Sequence, residues 1–195
     1  ALWFRDQDIF QLITSGNIAY ELCRPTRLYG FWYAKLIATR LSNALLRSFP
    51  LLAIVLFLPD PYGMDLPPSP ASAFLFLLAL LVGLIVTVSI SILIHISVFW
   101  TLNPTGSVLM IGITGEFFSG MIIPVPLMPD WIQPIVYALP FRWAVDFPFR
   151  VYSGHLPLAD ALLGIFIQVG WAFALITAGT ALMNRALRQV TVQGG

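Results

Sequence analysis

Apolar residues dominate long stretches of the chain, and polar ones gather between them. Four apolar segments are long enough for a helix across a bilayer, which takes roughly 20 residues. They cover 36–58, 71–100, 105–123 and 158–183. The second is the clearest, with His95 as its one ionisable group. Backbone groups facing lipid must be satisfied within their own segment, so the pattern predicts an all-α, polytopic membrane protein with four spans in a single domain over 1–195.

The connections differ in kind. The turn 59–70, PDPYGMDLPPSP, holds five prolines and two aspartates and no basic residue, which reads as a stiff turn. The turn 101–106, TLNPTG, is short and uncharged. The connection 124–157 is the longest, and its seven prolines, with Trp131 and Trp143, make it too broken for one helix and too apolar for a free loop. Short re-entrant or interfacial helices at 131–139 and 141–147 fit it, with Tyr137, Trp143 and Tyr152 at headgroup depth. Arg142, Asp146 and Arg150 follow one another at spacings of four, the distance of helical ion pairs. The bland reading is an aromatic anchor. The functional one is an outer gate of Trp131, Phe141, Arg142, Trp143, Asp146 and Arg150.

Composition sharpens this picture. The 195 residues are 58% hydrophobic and 10% charged, against about 25% charged in soluble domains. A net charge of +1 argues against nucleic-acid binding, and the single cysteine, Cys23, excludes an intrachain disulfide. Basic residues cluster at Arg5, Arg24, Arg27, Lys35 and Arg40, and again at Arg185 and Arg188. That bias places both ends in the cytoplasm and the turns 59–70 and 124–157 outside, with Arg142 and Arg150 against the trend.

Charges inside spans are costly and commonly functional. Glu116 lies about 10 Å below the outer edge if its helix ends near Ile123, and Arg47 about 16 Å below Leu58, at 1.5 Å per residue. The two are candidates for an intramembrane pair. A protonated Glu116, or one facing a wet cleft, explains the residue equally well. Gly112, Gly115, Ser119 and Gly120 give the same segment a small-residue surface for helix packing. Pro50 predicts a kink near Arg47. His95, close to Trp100, reads as an interfacial histidine rather than a catalyst. The sequence shows no metal-ligand spacing, phosphate loop or nucleophile elbow.

One polar stretch remains, ITSGNIAYELCRP at 13–25. Thr14, Ser15 or Asn17 supplies a cap, and Pro25 ends the helix. Asn17, Tyr20, Glu21 and Arg24 share one arc, and Ile18, Ala19, Leu22 and Cys23 the other. Two turns are unstable alone. The element therefore either lies on headgroups or docks on a partner.

The order of these motifs resembles the permease subunit of second-type ABC exporters. The branch in question reads I..G.IA.ELLRP, then SG..IP...P.W.Q.I...LPF, then P...Y.G, and ends in QGG. Here these are Ile13–Pro25 (with Cys23 at the second leucine), Ser119–Phe141, Pro148–Gly154 and Gln193–Gly195. The resemblance implies that the four spans are the third to sixth of six, the first two being absent from this sequence. It implies a cytoplasmic coupling helix within 13–26, with Ile18, Tyr20, Glu21, Leu22 and Arg24 contacting an ATPase or bracing that contact. It also implies an outer re-entrant gate at 124–157, a second permease copy or related chain, and a bacterial inner-membrane setting. This chain would bind no cofactor, with ATP and magnesium on the partner ATPase. The expected cargo is hydrophobic or amphipathic: a drug, antibiotic, peptide or lipid. The rivals are a proton-coupled transporter using Glu116, an intramembrane enzyme using His95 or Glu116, and a membrane scaffold.

Overall fold

Two helices form the axis of the computed structural model, which describes residues 6–59 and 66–189. They are α4 (Pro70–Thr101) and α8 (Leu158–Leu187), and among the described residues these two are long and apolar enough to cross a bilayer. The middle of the proline turn (60–65), Arg5 and the QGG tail lie outside the described residues. Every described element is helical. We call the ends of α4 and α8 at Ser69 and Pro157 distal, and the opposite ends proximal.

Two helices, α4 and α5 (Pro104–Phe118), start at local cap signals in their sequence. Ser69 caps α4, accepting a hydrogen bond from the Ser72 N–H at 3.1 Å, and Pro70 occupies the first turn, where no N–H is needed. Asn103 caps α5 in the same way, through the Thr105 N–H at 2.9 Å. Both helices lie close to the expected starts of 71 and 105.

The other ends and spans depart more. The first apolar segment, expected at 36–58, belongs to α3 (Leu28–Leu56), which starts eight residues earlier. The added turns are amphipathic: Leu28, Trp32 and Leu36 are buried, a helical face that hydropathy alone does not score. Beyond Arg40, residues 41–52 of α3 are exposed. The third segment, expected to run to Ile123, is helical only to Phe118. Ser119 closes the last turn, and Gly120 adopts φ +83°, the left-handed conformation that stops a helix. At 15 residues α5 is about 22 Å long, short of the roughly 30 Å hydrocarbon core.

Between α5 and α8 the chain forms a 3-10 turn (Val125–Leu127), then α6 (Gln133–Ala138) and α7 (Pro140–Tyr152). The two short helices expected at 131–139 and 141–147 are present, but α7 continues through Pro148 to Tyr152. Pro148 has no N–H to return to the Ala144 carbonyl. That carbonyl instead faces α4 at Gly83, where a Cβ would come within 3.0 Å of it. The missing side chain allows the two backbones to approach.

Ahead of α3 lie α1 (Gln7–Thr14) and α2 (Ile18–Leu22). The pattern reading missed α1. Asp6 is its N-cap, its side chain accepting from the N–H groups of Asp8 and Ile9. Ile9, Phe10 and Ile13 form its buried face. Thr14 therefore ends one helix rather than capping the next. Gly16, at φ +76°, turns the chain between the two.

Candidate functional site

Two regions hold the polar groups that the fold buries. The distal region is a wedge: α7 packs between α4 and α8. Its depth follows from its neighbours. Near its start, Ala144 lies against Gly83. The Gln168 side chain donates to the Trp143 carbonyl at 2.6 Å and to the Ala79 carbonyl of α4 at 3.1 Å. Gly164 of α8 faces the Phe147 ring, and a Cβ there would clash with the ring edge. At the other end Phe76 meets Tyr152 edge-on at 4.9 Å, and Gly154 lies against Pro68. From Ser69 to Gly83 an α-helix rises about 21 Å. So α7 begins deep between α4 and α8 and climbs to their distal ends.

Along α7 runs a charge ladder. Arg142 Nε donates to Asp146 Oδ2 at 3.1 Å, and Arg150 Nε approaches the same oxygen at 3.0 Å. Both expected spacings thus form ion pairs. Arg142 is buried, and its guanidinium stacks 4.0 Å from the Tyr137 ring centroid and 5.0 Å from that of Trp143. A charge this enclosed is tolerable because a carboxylate and two aromatic faces replace its water. Trp143, expected at headgroup depth, is buried instead, donating Nε1–H to the Tyr137 carbonyl at 3.0 Å. Phe141 stacks on Phe118 of α5 at 6.5 Å, and Trp131 is exposed.

The proximal region is a collar. Tyr33 joins α3 to α4 through Ser89 at 2.9 Å, and Arg40 reaches Ser91 at 2.7 Å. The collar centres on His95, expected at the interface but fully buried. The spacing of Thr87, Ser91 and His95 at i, i+4, i+8 places them on one face of α4, a signal legible in the sequence. His95 Nδ1 lies 2.7 Å from the Ser91 carbonyl, and Nε2 accepts the Asp6 backbone N–H at 3.2 Å. A carbonyl only accepts and an amide only donates, so the ring is the neutral tautomer with its proton on Nδ1. Phe10 stacks on the same ring, centroids 4.5 Å apart.

Lys35, just ahead of the apolar part of α3, ties α1 from the other side. Its Nζ lies 2.9 Å from Asp6 Oδ2 and 3.3 Å from Asp8 Oδ2. Burial alone would lower the ammonium's pKa, but the two carboxylates outweigh it and hold it above the usual lysine range. Asp6, Phe10, Lys35 and Gln168 are the residues that pattern reading missed. Asp6, Phe10 and Gln168 act through partners on other helices 85 to 89 positions away in sequence, which periodicity does not pair.

The stretch 13–26 extends outward from this collar. Ile18 is buried in the same core as Ile9 and Phe10. Tyr20 is 76% exposed and Leu22 39%. Arg24 folds back 3.4 Å from Glu21 and lies 5.5 Å from the Phe31 ring. Glu21 Oε2 is buried without a hydrogen-bond partner among the described residues. A shallow cavity of about 410 Å³ lies along α1 and the turn after it, lined by Asp8, Gln11, Leu12, Thr14, Ser15 and Asn17.

The structure does not bring Arg47 and Glu116 together. Arg47 is exposed on the part of α3 that stands clear of its neighbours, and no ion pair joins the two among the described residues. Because α5 ends at Phe118, Glu116 sits in its last turn rather than well below the end of a longer span. Gly115 is buried and Gly112 half-buried where α5 packs on α4 and α7. Ser119 and Gly120 form the cap and turn instead, and a Cβ at Gly120 would crowd Val125 at 3.2 Å.

Neither curated proteins nor solved structures gave a match to this chain. A family model described as ABC-2 family transporter protein matches residues 5–194, spanning the collar, the wedge and every helix between them. The chain belongs to the ABC-2 transporter family, as a permease of that type.

Proposed function

We propose that this chain is the membrane permease subunit of an ATP-driven exporter, forming half of a translocation path with a second copy or a related chain. A separate cytoplasmic ATPase drives it. The observation that carries the reading is the family match over 5–194. Permeases of this family are transport components rather than catalysts, and hydrolysis belongs to the partner.

The collar supports the coupling role. Exposed Tyr20 and Leu22 present an aromatic and an aliphatic group on an element rooted by Ile18. A two-turn helix with that composition gains order from a partner's groove. In this reading α3, α4, α5 and α8 are the third to sixth spans, α5 being completed by the turn after Gly120. The proximal end faces the cytoplasm of a bacterial cell and α7 is re-entrant from outside. Its ladder, with Phe141 and Trp143, lines the outer gate. The weakly charged helices favour a hydrophobic or amphipathic cargo.

The test is co-purification in detergent with the ATPase encoded beside the chain. Wild type should retain it and stimulate ATP hydrolysis. Tyr20→Asp with Leu22→Asp should lose it while the permease stays monodisperse. Full retention in the double variant refutes the coupling assignment.

A further inference from the structure

We infer that His95 is a positioning residue for the power stroke: it anchors α1, and through α1 the docking element α2, to the interior of α4. The inference rests on the permease reading above and goes beyond it by naming the joint through which a push on α2 reaches a span.

The element that meets the partner and the element that meets the membrane helices are different pieces of chain. Within α2 only Ile18 is buried; Tyr20 and Leu22 face outward. Five residues with one buried anchor cannot transmit a load by themselves. The preceding helix can. It buries Ile9, Phe10 and Ile13 in the core that also holds Ile18, and it packs on α4.

Apolar contacts let a helix slide; directed bonds fix its register. Three directed links join α1 to the body: two end at Asp6, and the third is Lys35 Nζ on Asp8 Oδ2 at 3.3 Å, made by an exposed carboxylate. The Asp6 N–H is one of the orphan donors at the start of α1, and His95 Nε2 accepts it at 3.2 Å. The Asp6 carboxylate, which caps α1, also holds Lys35 Nζ at 2.9 Å. One residue thus caps the helix, binds α4 through its backbone and binds α3 through its side chain.

The His95 ring is well suited to be the fixed side of this joint. It is fully buried, Nδ1–H is held by the Ser91 carbonyl one turn back, and Phe10 covers one face at 4.5 Å. Neither ring nitrogen is free to change partners while α1 stays docked. The partners that hold the ring, Asp6, Phe10 and Ser91, are themselves buried, which suits an anchor.

The experiment uses the full chain in complex with its ATPase, in phosphatidylethanolamine–phosphatidylglycerol vesicles. Wild type is compared with His95→Phe, which keeps a stacking ring but no acceptor. His95→Gln restores an acceptor, and Lys35→Met removes the two lysine links. Hydrogen exchange over 6–14 should rise roughly tenfold in His95→Phe, as expected for loss of one buried hydrogen bond. Exchange over α4 and α8 should stay at wild type, and the ATPase should remain bound. ATP hydrolysis stimulated by the permease should fall several-fold, and His95→Gln should recover part of both signals. Lys35→Met should loosen 6–14 in the same direction and serves if the histidine variant does not fold.

Unchanged exchange over 6–14 in His95→Phe and Lys35→Met overturns the anchor. Loosened exchange with wild-type hydrolysis overturns its role in coupling. Loss of protection over α4 as well makes His95 a general stability residue and also overturns the inference. A wild-type chain that neither holds an ATPase nor stimulates hydrolysis fails the permease reading itself, visibly, before any variant is compared.

Discussion

The wedge at the distal end and the collar at the proximal end both attach short helices to α4, but by opposite means. The wedge is close-packed. Gly83 and Gly164 let backbone and ring approach where any side chain would collide, and Gln168 ties two backbones from a third helix. The collar packs one apolar face of α1, Ile9, Phe10 and Ile13, and adds directed links to it: an N–H on a ring nitrogen and a carboxylate on an ammonium. Outside them α1 and α2 leave most of their polar face uncovered. Close packing resists motion in every direction, because each displacement makes either a void or a clash. Directed links on a half-exposed helix permit rotation about the link while holding one point fixed. The two ends of the same helix are thus built for different mechanical tasks.

The largest expected effect is in the wedge. Gly164→Leu would place a branched side chain where the Phe147 ring lies, and Phe147 is itself buried between α4 and α8. Overpacking costs about 1–3 kcal/mol when neighbours can give; here the neighbour is a ring with no exit, so the loss should reach the upper end of that range or beyond. Thermal unfolding in detergent should show a large fall in Tm or no folded protein. An unchanged Tm would mean that α7 is not wedged. Next comes Gln168→Ala, which removes two cross-helix hydrogen bonds and leaves a cavity, at about 2–3 kcal/mol. Gln168→Leu should recover most of that, because Gln168 Oε1 is buried without a partner among the described residues and its removal relieves a cost. Equal Tm values for the two variants would refute the clamp.

How much of this was legible beforehand depends on the kind of interaction. The starts of α4 and α5 were readable because Ser69-Pro70 and Asn103-Pro104 are local signals, complete within four residues. The ladder on α7 was readable for the same reason: its pairs lie one helical turn apart. The short helices after Gly120 announced themselves through prolines. By contrast, the early stop of α5 lay hidden because Gly120 sits in a run as apolar as a span, and hydropathy does not register φ. The burial of Trp143 and of His95 within the protein is not legible in the sequence, because tryptophan and histidine suit an interface and a helix junction alike. Only the packing of α7 against α8, and of α1 against α4, decides between them. Arg47 and Glu116 read as buried charges from hydropathy, yet Arg47 is exposed and Glu116 lies in the last turn of α5.

In the collar the effects should be smaller and local. Phe10→Ala removes a buried ring from a core, a change that costs about 3–5 kcal/mol at a central site. Here the loss is capped by the free energy of undocking α1, since α4, α7 and α8 pack together without it. Limited proteolysis should cut near 6–17 at least several-fold faster, while the thermal transition of the remainder stays in place. Loss of the main transition would show that the collar is as integral as the wedge and would dissolve the contrast.

The smallest effect on stability, and the sharpest on the contrast, is Arg24→Ala. Arg24 pairs with Glu21 at 3.4 Å across three residues, and more than half of its side chain is exposed. Such exposed pairs contribute about 0.2–1 kcal/mol, so Tm should move by no more than a degree or two. The change nevertheless leaves Glu21 without its arginine at the outer surface of α2, where Tyr20 and Leu22 are exposed. If that face docks on the ATPase, binding should change by several-fold, measurable by titrating the purified ATPase onto the vesicle-embedded chain, with Tm as the control. A variant in which binding and Tm both hold would leave the element as a lipid-surface helix. A variant in which Tm falls with binding would show that the Arg24–Glu21 pair braces the collar rather than facing the partner, since a surface pair at this exposure cannot by itself lower the stability of the helices beneath it.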